Sequence, residues 1–173
     1  MRRLAGLLMA VALGAAACGS NSSTPTTPTV APVVFTQQIL ASNETGNIGG
    51  GEQTASGSST ITFNLTKDSS GNITAATVSF SATLQGFPAT TNITISHIHV
   101  GAAGVAGAIV VDTGLASGQV TLVNGSGSFQ KSNISVDPTL AQQIINNPAG
   151  YYFNVHSSAN PSGVVRGQLV RTQ

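Results

Sequence analysis

From residue 34 onward the chain is a succession of short runs in which apolar and polar residues alternate, separated by Gly, Asn, Ser and Pro. A strand turns successive side chains to opposite faces, so a period of two marks strands with one buried face. The runs cover 34–40, 59–65, 73–84, 93–100, 108–112, 118–123, 127–134, 151–156 and 164–170. Ile61, Phe63 and Leu65 share one face, as do Val78, Phe80, Ala82 and Leu84. Ser69-Ser70-Gly71-Asn72 and Asn124-Gly125-Ser126-Gly127 carry turn chemistry, the former joining two long strands as a hairpin. So many short strands predict an all-β fold, an antiparallel Greek-key sandwich or barrel. One short helix near 137–147 interrupts it. Asp137 suits the N-cap and Pro138 the first helical position, and Leu140, Ile144 and Ile145 form a short apolar stripe. Pro148 ends it, because the residue before a proline avoids the helical region. This helix is expected to close one end of the barrel.

The N-terminus reads as an address. Arg2 and Arg3 precede an apolar stretch that is too short for a transmembrane helix, which needs about 20 apolar residues. The stretch ends in Ala15-Ala16-Ala17-Cys18, and Cys18 is the only cysteine. This is similar to a bacterial lipobox, which implies a signal peptide over 1–17 and lipidation at Cys18. Residues 18–33 are rich in Ser, Thr and Pro and predict an extended tether. The folded domain is expected over 34–173. The expected partner at this end is a membrane, reached through the lipid, and the expected location is the cell envelope, outside the cytoplasm. Gly19 after the cysteine implies the outer membrane in a Gram-negative host, by the sorting rule of lipoproteins as a class.

Without Arg2 and Arg3 the chain has four basic and five acidic residues, a formal charge of −1. No basic patch is present, so nucleic acid is not an expected partner. A lone cysteine excludes intrachain disulfides and thiolate metal clusters.

The chain has three histidines, and all lie in two pieces of sequence. The first is Ser96-His97-Ile98-His99-Val100-Gly101. The second runs through Tyr151-Tyr152-Phe153-Asn154-Val155-His156 to Asn160-Pro161-Ser162-Gly163-Val164-Val165-Arg166-Gly167-Gln168-Leu169. On a strand His97 and His99 point the same way, roughly 6.6 Å apart, close enough to meet one ion or ligand. Ile93 and Ile95 are expected on that face too. Tyr152, Asn154 and His156 share a face, and Arg166 shares one with Gln168. If the last two strands pair as a hairpin, His156 and Arg166 are expected to be ladder neighbours.

These two pieces, in this order and at this distance, resemble the CHRD domain, the module named after chordin and also found in bacterial secreted proteins. The resemblance runs from about Val34 to Arg171 and marks Gly101, Asn160, Gly163, Arg166 and Gly167 as motif residues. Val164 and Val165 stand where the family usually has an acid shortly before the arginine, so an acid–arginine pairing is not implied.

Two functions follow as expectations. One is a non-enzymatic extracytoplasmic module that binds a protein or surface ligand, with the histidines as hydrogen-bonded structural residues. The alternative is a mononuclear copper or zinc protein with His97, His99 and His156 as ligands, the count of a three-histidine site with an open position, and with redox or hydrolytic activity. Arg166, if near the cluster, opposes a cation, and this favours the structural reading. The pattern supports no catalytic residues. A Gly-x-Ser-x-Gly elbow is absent, the five acids are scattered, and a paired copper–zinc site needs more histidines than three. The glycine-rich stretch 101–107 lacks Gly-Lys-Ser/Thr and reads as a close-packed strand connection.

Overall fold

The computed structural model describes residues 30–173. The expected signal peptide, Cys18 and most of the tether lie outside the described residues. The strands are β1 (Val33–Leu40), β2 (Ser56–Lys67), β3 (Ile73–Gln85), β4 (Ile93–Val100), β5 (Ile109–Asp112), β6 (Gly127–Val136), β7 (Tyr151–Ser157) and β8 (Val165–Gln168), with one helix, α1 (Pro138–Asn146). β1 thus opens at Val33, a buried residue at the end of the expected tether.

All eight strands join one sheet in the order β5-β4-β7-β8-β1-β2-β3-β6, and every pairing is antiparallel. The edges β5 and β6 face each other across a cavity of about 350 Å³, lined by Val110–Asp112 on one side and Ile134–Asp137 with Leu140 on the other. The sheet is therefore a nearly closed barrel. The links β3 to β4 and β6 to β7 each skip two strands around it, as in a Greek key. Inside, Phe80 of β3 stacks on Phe153 of β7 with centroids 5.7 Å apart, which brings the two halves of the sheet together as a sandwich. Ile61, Phe63, Val78, Phe80, Ala82 and Leu84 are all buried there, as their alternation predicts.

Local chemistry explains the joints. The β2–β3 hairpin turns where the Asp68 carboxylate accepts the backbone N–H groups of Ser70 and Asn72, with Gly71 at φ 87°. Asp137 caps α1 by accepting from the N–H groups of Thr139 and Leu140. The helix buries Ala141 and Ile144 and packs on β3, with Leu140 at the seam.

The segment 118–123 corrects one expectation, because it is no strand. Turns at Ala116–Gln119 and at Asn124–Gly125 leave too few residues between them, and only the bridge Val123↔Ser126 forms. Lys131 of β6 donates to Gly114 O and to Gln119 Oε1, holding the segment as a loop that buries Leu115 and Val120.

β8 meets β1 closely at Gly167. A Cβ there would lie 2.1 Å from the Gln38 carbonyl oxygen, a rigid backbone atom. Gly167→Ala should therefore force the strands apart and lower stability by about 1–3 kcal/mol, read as a lower denaturant midpoint. An unchanged midpoint would show that the β1–β8 joint tolerates a wider spacing.

Candidate metal centre

β7 lies between β4 and β8, with Asn154 opposite both His97 and Arg166, and Tyr152 opposite both His99 and Gln168. Tyr151, Phe153 and Val155 point into the core. The alternate residues Tyr152, Asn154 and His156 therefore share the outer face with His97, His99, Arg166 and Gln168. This face is nevertheless dry, and His97, His99 and His156 are 4%, 7% and 5% exposed. The β4–β5 connection, 101–107, closes over one side, and the β7–β8 connection, 158–163, over the other.

The hydrogen bonds of these loops settle which ring nitrogens are free. Nδ1 of His99 lies 3.0 Å from the Gly107 carbonyl, and Nδ1 of His156 lies 2.9 Å from the Pro161 carbonyl. A carbonyl only accepts, so each Nδ1 carries the proton and each Nε2 presents a lone pair. Nε2 of His99 is buried with no hydrogen-bond partner. His97 places Nδ1 3.2 Å from Nε2 of His156, and its Nε2 faces Asp112 Oδ1 at 3.9 Å. One nitrogen from each of the three rings lies within 4.8 Å of the others. Two imidazole nitrogens on one tetrahedral zinc stand about 3.4 Å apart, given bonds of about 2.0–2.1 Å. The His97–His156 spacing already matches, and His99 needs only a small side-chain movement. In each ring the second nitrogen faces a carbonyl or a carboxylate, the outer-shell pattern that orients histidine ligands.

Arg166 is buried within the same face but serves the loop. Its guanidinium donates to the carbonyls of Ala102 and Val105 and to Gln168 Oε1, and its Cζ stands 3.5 Å from the Tyr152 ring centroid. Tyr152 in turn stacks on His99 at 4.9 Å and 6°, and its hydroxyl accepts the Gly107 N–H. By strand order, the tyrosine ring stands between the cation and His99. Gly101 permits this approach, since a Cβ there would lie 3.0 Å from the Tyr152 ring and 2.8 Å from Val105 O.

The other motif residues hold the loops. Asn160 donates to Glu52 Oε2 and Gly49 O and accepts from the Gly49 N–H. Glu52, almost fully buried, also accepts from Thr91 and Ser157 and so ties three loops together. Gly163 lies against Asn154 and Glu44, where a Cβ would come within 3 Å of both side chains.

Two expectations about this face are corrected. Ile93 does not accompany the histidines, because a bulge between Ile93 and Ser96 turns it into the core, while Ile95 is exposed. Arg166 pairs across the ladder with Asn154 instead of His156. Sequence reasoning placed Tyr152 on the face of His156 but missed its stack on His99 and Arg166, and it missed Asp112 and Glu52. Asp112 was within reach of that reasoning, since a hairpin after His-x-His brings β5 back beside His97; the tyrosine stack and the Glu52 knot join residues far apart in sequence and left no local signal.

Burial lowers the pKa of all three histidines, His97 furthest, to about 4, with His156 adding to the effect and Asp112 opposing it. In His99 and His156 burial is again the main cause, opposed by the bonds to Gly107 and Pro161. Burial pushes Glu44 up to about 7 against the pull of Arg166. Below pH 6.5 the unfolded histidines take up protons that the native state refuses until about pH 4 for His97, so their contribution to stability is lost as pH falls through that window. Glu44 acts oppositely, since the native state holds its proton up to about pH 7 and the unfolded state only to 4.5. Denaturant midpoints of the metal-free protein should fall on acidification across this window. Glu44→Gln should steepen that fall, and an unchanged slope would show that Glu44 ionises normally.

Compared with protein-family models, residues 35–169 match the CHRD domain. No curated protein and no solved structure gave a significant match.

Proposed function

The chain belongs to the CHRD domain family, and we propose that it is an extracytoplasmic binding module whose ligand is one d-block metal ion, held by His97, His99 and His156. The observation that carries this is the convergence of three imidazole nitrogens, of which Nε2 of His99 is buried without any hydrogen-bond partner. A buried polar atom without a partner costs about 1–3 kcal/mol, which an ion at the centre of the three rings would offset. The objection from Arg166 weakens because its guanidinium stacks on the Tyr152 ring and is solvated by the carbonyls of Ala102 and Val105, so it opposes a cation without occupying the site. Near-complete burial of the ligands supports holding an ion over turning over a substrate.

Purified without a tag, the protein should carry or take up one zinc or copper ion per chain. Metal at about 100 times its dissociation constant should add roughly 2.7 kcal/mol to stability, seen as a raised melting temperature. His97→Ala, His99→Ala and His156→Ala should each abolish that rise, and circular dichroism checks that each variant folds. If no metal moves the wild-type melt, the histidines are structural and the proposal fails.

The location belongs to the same proposal. Arg2, Arg3, the apolar stretch and Ala15-Ala16-Ala17-Cys18 support export and a lipid on Cys18, with 19–32 as the spacer. No helix of the described residues is long and apolar enough to cross a membrane. Cys18→Ala should release the protein from the membrane fraction or leave the leader uncleaved; unchanged fractionation with unchanged mature mass would remove the lipid anchor from the proposal.

A further inference from the structure

We propose that the ion suited to this site is copper(I), held three-coordinate by His97 Nδ1, His99 Nε2 and His156 Nε2. The inference rests on the metal-binding reading above and names its ion.

The first argument is charge. The three ligand atoms belong to neutral imidazoles, so the complex carries the whole charge of its ion into a buried place. The self-energy of a buried charge grows with its square, so a divalent ion costs about four times as much as a monovalent one in the same surroundings. Neighbouring groups do little to offset this. Asp112 is the carboxylate facing the cluster, but it is 67% exposed and lies beyond His97, so water screens it. Among the described residues no carboxylate lies within ion-pairing distance of Arg166, and Glu44, which feels its pull, is a carboxyl that burial keeps protonated up to about pH 7. That buried cation stands over the same tyrosine ring that stacks on His99. A second positive charge on the ion therefore adds a repulsion worth on the order of tenfold in affinity.

The second argument is coordination. Zinc on three protein ligands keeps a water or substrate in a fourth position, and copper(II) prefers tetragonal sites. Here the loops 101–107 and 158–163 close over the rings through the Gly107 and Pro161 carbonyls, leaving the histidines at most 7% exposed. Copper(I), a filled-shell ion content with three donors, requires no further ligand.

The metal-free full chain is titrated with copper(I) under anaerobic reducing conditions against a chromophoric chelator, and in parallel with copper(II) and zinc. Copper(I) should bind one per chain and at least about tenfold more tightly than either divalent ion. X-ray absorption of the copper(I) form should show three nitrogen neighbours and no added oxygen. Divalent binding that is equal or tighter, or a fourth light-atom ligand on copper(I), would overturn the choice of ion while leaving the metal-binding reading intact. Failure of all three ions to bind would overturn that reading itself.

Discussion

On β7 every residue from Tyr151 to Ser157 is buried, although only alternate ones face the core. An outer face of a barrel strand is ordinarily wet, and its polar groups are satisfied by water. Here that face is dry, so each polar group on it must find a partner within the protein or be left without one. The arrangement of β4, β7, β8 and their loops follows from this requirement. Loop carbonyls turn inward to receive ring N–H groups, and loop N–H groups turn inward to reach Tyr152 and the backbone.

Arg166 shows how the requirement is met for a full charge. It is fully buried, yet its partners are the carbonyls of a glycine-rich loop, a glutamine amide and an aromatic face. Neutral partners of this kind leave its charge uncancelled but well solvated by dipoles. The arginine thereby fastens the loop that covers His99, and the structural and ligand-binding readings of the motif become compatible. Glu52 does the corresponding work for an anion, with only Thr91, Ser157 and Asn160 as donors to its carboxylate.

What remains unsatisfied after this pairing is informative. Among the described residues the buried side-chain atoms without partners are Glu44 Oε1, His99 Nε2 and Asn154 Oδ1, all within this region. The Glu44 carboxyl responds by holding its proton to about pH 7. His99 has no such escape, because burial disfavours its charged form and Nδ1 already uses the ring proton on Gly107. A lone pair held in that state is a donor atom awaiting an acceptor, and this is what supports the proposal of a binding site on an otherwise packed face.

The sequence by itself determined the strands, most turns, the helix cap at Asp137 and which residues of β7 and β8 face together, because side-chain alternation and capping are local effects. It also brought His97, His99 and His156 forward as candidates, since the chain has no other histidines. It overestimated 118–123, where apolar alternation was present but turns at both ends left too few residues for a strand. Only the tertiary structure decided the sheet order that sets β4 beside β7, the bulge that separates Ile93 from the histidine face, and the ladder position of Arg166. It also decided that Tyr152 stands between Arg166 and His99. These depend on register and on loops returning over a strand from far along the chain, and no local pattern encodes the free energy of such distant contacts.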